Sequence, residues 1–193
     1  MNHPSIRFVL ALVVVFAQAH PAAAAGRAQP RQEQGVAALC DQRSDFRSAM
    51  SKLWEDHVTW TRLFIVSAVG NLPDKEATTA RLLQNQKDIG DAVKPFYGNA
   101  AGDRLTVLLR DHILIAADLV THLIGGSLDL VELDKARWVV NADEISVFLS
   151  GANPVYLPLN HMKPMMRAHL DATTAQVAAY LGQDFVGSVT AYD

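Results

Sequence analysis

Three histidines recur in one local setting. Leu53-Trp54-Glu55-Asp56-His57-Val58 returns as Leu108-Leu109-Arg110-Asp111-His112-Ile113, and a fainter copy is Met165-Met166-Arg167-Ala168-His169-Leu170. Between them, Asn85-Gln86-Lys87-Asp88-Ile89 is matched by Asn141-Ala142-Asp143-Glu144-Ile145. The separations agree, since 112 − 57 = 55, 141 − 85 = 56 and 169 − 112 = 57. A near-constant period of this kind reads as a duplicated helical hairpin. Imidazole with carboxylate suits zinc, iron or copper. His57, Asp88, His112, Glu144 and His169 are therefore the candidate ligands of a divalent transition metal, with Asn85 and Asn141 behind them. The same groups could instead work as acids and bases in an enzyme. They could also close on one another as a structural hydrogen-bond network that fixes register.

Other chemistries find less support. A di-iron carboxylate site needs Glu-x-x-His, but Trp54 and Leu109 stand three residues before His57 and His112. Covalent haem needs CxxCH, and the single cysteine, Cys40, is followed by Asp41. A b-type haem between two of the histidines has no distinguishing motif. HExxH, GxSxG and the Gly-rich phosphate loops are absent. Met162, Met165, Met166 and His169 can share a helix face suited to Cu(I), although methionine at helical spacing is more often plastic core packing. Trp54, Trp60 and Trp138 could line a pocket for a small apolar ligand, but read more simply as core. Arg62 reads as a solvated or snorkelling side chain. His122 and His161 fall outside the repeat register.

The elements that must position these residues are helical almost throughout. Ser44 can cap a first helix carrying His57, Trp60, Phe64 and Ala68, which Gly70-Asn71-Leu72-Pro73 stops. Asp74 can cap a second, with Leu82, Asn85, Ile89, Ala92 and Phe96 on one stripe and an end at Lys94-Pro95 and Gly98. A third is expected over about residues 103–124, and a fourth over about 129–150. A fifth is expected over about 160–181, with Pro164 tolerated in its first turn. No convincing strand alternation occurs. Short connections join antiparallel neighbours, so the expected fold is all-α: an up-and-down bundle of four long helices plus a fifth. Counting 1.5 Å per residue from each break brings His57, Asn85, His112, Asn141 and His169 to roughly one level. Asp88 and Glu144 are expected one turn away on the same faces. If the layer binds a metal, its imidazoles must be neutral, and affinity should fall below a pH of about 6.5.

The 193 residues carry 17 Lys+Arg against 20 Asp+Glu, a net charge of −3, which offers nucleic acid no electrostatic footprint. One cysteine supplies neither an internal disulfide nor a CxxC pair. At the N-terminus, Arg7, the apolar run of residues 8–19 and Ala23-Ala24-Ala25 form a tripartite secretory signal. The run is too short to span a bilayer. Cleavage after Ala25 would leave 193 − 25 = 168 residues, with no transmembrane helix and a secreted or periplasmic destination. Residues 26–43 are expected to be a flexible leader and 44–193 the bundle.

The segments LWEDHVTWTRLFI, RLLQNQKDIG, KPFYG, LLRDHILIA and NADEISVFL together resemble an uncharacterised family of small bacterial helical-bundle proteins. The resemblance covers about residues 52–193. It implies a helical fold and a shared polar layer, and no activity. A metal ion or a small ligand remains the partner to look for.

Overall fold

The computed structural model describes the backbone from Pro30 and the side chains from Asp41. The expected secretory signal and its cleavage position lie outside the described residues. Six helices follow one another: α1 Pro30–Val69, α2 Lys75–Tyr97, α3 Asn99–Ile124, α4 Leu128–Ala152, α5 Leu159–Leu181 and α6 Phe185–Tyr192. No strand occurs among the described residues. The fold is an all-α bundle in which each helix packs on its sequence neighbours.

Helix ends differ from the sequence expectation in instructive ways. α1 starts at Pro30, inside the segment expected to be a leader. Proline suits a first helical position because its φ is preset and its missing N–H is not needed there. α2 runs through Pro95 to Tyr97. A proline in the last turn removes the donor to a single carbonyl four residues back, so the cost is small. Pro164 lies beyond the first turn of α5, which begins at Leu159. Asp74 occupies the cap of α2 without a side-chain cap bond. α6 was not anticipated, although Asp184 caps it by accepting from the Gly187 N–H at 2.8 Å.

Chain reversals use the left-handed region where the sequence permits it. Gly98 (φ 85°) separates α2 from α3 with no intervening loop, and Gly126 (φ 69°) turns α3 into α4. Only glycine adopts this conformation without a steric cost.

The helices are not equivalent. Beyond neighbour packing, α1, α3 and α5 also touch one another. The odd helices therefore meet at the centre, with α2 leaning on α1 and α3, and α4 leaning on α3 and α5. Apolar burial brackets the level of the histidines. Phe46, Met50 and Trp54 precede His57, and Phe64 and Ile65 follow it. Each such side chain contributes about 1.5–3 kcal/mol when fully buried. Between the two apolar levels lies a polar one.

Candidate functional site

His57 on α1, His112 on α3 and His169 on α5 converge where the odd helices meet. His169 is the middle member: its ring centroid lies 6.2 Å from that of His57 and 5.8 Å from that of His112, stacked on the latter. His57 and His112 are 4% and 3% exposed. Desolvation, reinforced by the nearby His169 ring, lowers both from 6.5 to about 3. Burial lowers His169 to about 4. All three are neutral imidazoles at ordinary pH. Protons would therefore compete for these nitrogens only near pH 4 and below, not from about 6.5 as their unperturbed values suggest.

The even helices supply amides that orient the imidazoles. Asn141 on α4 donates from Nδ2 to the Leu108 carbonyl at 3.0 Å. Its Oδ1 is thereby turned to His112 Nδ1, 2.7 Å away. A carbonyl oxygen only accepts, so His112 carries its proton on Nδ1 and a lone pair on Nε2. In the first hairpin the same work is divided between two residues. Asn85 donates to the Leu53 carbonyl at 2.9 Å, the equivalent of the Asn141–Leu108 bond. Gln86, not Asn85, reaches His57: its Nε2 lies 3.3 Å from His57 Nδ1. The Gln86 amide also donates to the Leu82 carbonyl at 2.8 Å and to Asn85 Oδ1 at 3.1 Å. These acceptors fix Nε2 as the nitrogen end and account for both of its protons, so the 3.3 Å approach to His57 Nδ1 places the amide against the ring without setting its tautomer.

Asp88 and Glu144 do not join them. Asp88 is bound at the surface by Gln84 at 2.7 Å and faces Arg81 at 3.8 Å. Glu144 is exposed and paired with Arg104 at 3.5 Å. Among the described residues no group of three or more His, Cys, Asp or Glu is placed to hold a metal ion. Met162 and Met166 are buried in the core, with Met165 packed against it. The tryptophans do not share a pocket. Trp54 and Trp138 stand against His57 and His112 at 5.7 and 5.1 Å, while Trp60 lies under Arg81 at 5.3 Å. Arg62 is over the Tyr192 ring at 5.0 Å, tying α1 to α6. His122 is engaged elsewhere, 2.6 Å from the buried Asp134, and His161 is exposed.

Two glutamines escaped the sequence reading, Gln86 and Gln176. Gln176 is 5% exposed on α5, two turns beyond His169. It lines a small chamber of about 30 Å3 together with His57, Thr61, His169, Thr173 and Tyr192. Its Nε2 has no hydrogen-bond partner, nor do Gln86 Oε1 and Trp138 Nε1. The spacing from His169 to Gln176, seven residues on one helix face, is the signal that could have found it. A second cavity of about 20 Å3 is apolar and shares Thr61 and Thr173 with the first. No described helix is long and apolar enough to cross a membrane. Comparison with protein-family models, curated proteins and solved structures finds no match to this chain.

Proposed function

We propose that this chain is an exported binding protein that holds a small ligand at the level of its three histidines. One observation carries the reading: the polar layer does not close on itself. A purely structural network satisfies its buried groups, because each one left without a partner costs about 1–3 kcal/mol. Here Gln86 Oε1 is buried without a partner on the residue that reaches His57, and Gln176 Nε2 is buried without one in the wall of the chamber that His57 and His169 also line. Export rests on the tripartite N-terminus, and the paired Asn85–Leu53 and Asn141–Leu108 bonds support descent from a duplicated hairpin.

A second reading, a transition metal, is favoured by one feature: Asn141 leaves the Nε2 lone pair of His112 free beside His169. Zinc, copper or iron could use such a pair. The test serves both readings. Imidazole signals are followed by nuclear magnetic resonance while zinc, copper(I) and small polar molecules are titrated into the protein. Saturable shifts at His57, His112 and His169 with none at His122 and His161 support ligand binding at the layer. Equal shifts at all five positions would sink it. For the metal version, a chelator lowers the melting temperature of the loaded protein and His112→Ala abolishes the effect.

A further inference from the structure

The chamber beside His57 and His169 has a composition that selects its occupant. No Asp, Glu, Lys or Arg side chain lines it. Its hydrogen-bonding groups are of both kinds. Gln176 Nε2 is a buried donor without a partner. Thr61 and Thr173 already spend their protons on the His57 and His169 carbonyls, at 2.7 and 2.9 Å, so their oxygens can only accept further bonds. His57 and His169 add the edges of two neutral imidazoles to the wall. A volume of about 30 Å3 exceeds the ~10–15 Å3 that one water requires, so two or three non-hydrogen atoms fit.

We propose that this chamber is a binding site for a small, uncharged, hydrogen-bonding molecule such as a primary amide or alcohol, with Gln176 donating to it and Thr61 and Thr173 accepting from it. The proposal rests on the reading of the histidine level as a ligand site and narrows it to one chemical class. An ion placed there would give up part of its hydration with no opposite charge in the wall, which is unfavourable. A neutral molecule with a donor and an acceptor exchanges water for equivalent partners. It also satisfies the Gln176 amide, which otherwise stays unpaired.

Formamide, formate and formamidinium have nearly the same size and planar shape and differ in charge, so they isolate the decisive variable. Each is titrated at constant ionic strength into the purified whole chain while the His57 and His169 imidazoles and the Gln176 side-chain amide are followed by nuclear magnetic resonance. Formamide is expected to give saturable shifts at a concentration roughly tenfold or more below either ion. Gln176→Leu should remove the formamide response. Thr173→Val, which deletes an acceptor and keeps the shape, should weaken it and serves as the independent variant if Gln176→Leu fails to fold. Equal binding of formate or formamidinium, absence of a formamide response, or a response that survives both substitutions overturns the proposal. If formamide does nothing while zinc still moves the same histidines, the ligand site stands and only its neutral class falls. If no probe of any charge moves them, both fall together.

Discussion

At the scale of single residues, the layer is a row of bases kept neutral by burial, and that has a thermodynamic signature. The unfolded histidines titrate near 6.5, the folded ones near 3 to 4. Between those values the unfolded chain binds more protons, so stability is full above about pH 6.5 and declines as pH falls toward the folded values. Each histidine contributes a slope of about 1.4 kcal/mol per pH unit at most. The melting temperature should therefore drop steeply from pH 6.5 to 5, and the drop should shrink in His112→Gln. A flat profile over that range would show that the rings are hydrated. Asn141 tests the orientation argument. Asn141→Leu strands the His112 Nδ1–H and should cost roughly 1–3 kcal/mol in denaturant unfolding. Asn141→Asp keeps an acceptor but adds a charge, and should raise the His112 pKa by nuclear magnetic resonance titration. The histidines and asparagines could be read from spacing because they lie on core faces. Asp88 and Glu144 could not be placed that way. Three residues advance a helix by about 300°, and the remaining 60° turns both carboxylates out to Arg81 and Arg104. Gln86, one residue past Asn85, is turned by about 100° in the other direction and falls inside.

At the scale of elements, the odd helices carry the imidazoles and the even ones the amides that orient them, and α2, which brings Gln86 to His57 on α1, also packs closely on α3. That contact is backbone against backbone. A Cβ on Gly90 would overlap the Thr106 hydroxyl and lie 2.6 Å from the Gly102 carbonyl oxygen, and one on Gly102 would overlap Gly90 in return. Gly90→Ala should destabilise the protein by about 1–3 kcal/mol through overpacking. Gly151→Ala, with open space around it in the last turn of α4, should instead stabilise by up to about 1 kcal/mol. Chemical denaturation of the two variants checks the opposite signs. The helices and their order were legible because apolar periodicity is strong and glycine and proline punctuate it. Their ends were not, because Pro30, Pro95 and Asn99 sit where geometry tolerates residues that usually mark a boundary. Nor was the one-residue offset that gives Gln86 the role Asn141 plays alone. Only the distance between facing helices reveals which of two adjacent amides reaches a ring.

At the scale of the whole molecule, α3 and α4 meet through a tight turn at Gly125 and Gly126, both exposed, while the histidine level spans α1, α3 and α5. A protease site inserted between those glycines should be cut readily. The pieces should still elute together in size-exclusion chromatography, since their contacts do not depend on the turn. Separation after cutting would mean that the joint, not the packing, holds the halves.

The two cavities share the Thr61 and Thr173 wall, so both adjoin one seam between α1 and α5. Hydrostatic pressure acts on unfilled volume and spares dense contacts. Squeezed in a high-pressure cell, the protein should yield first along that seam, while the Gly90–Gly102 crossing, which has no space to surrender, holds its shape. A filled chamber would resist. The compressibility of this bundle thus becomes a gauge of whether that chamber is filled.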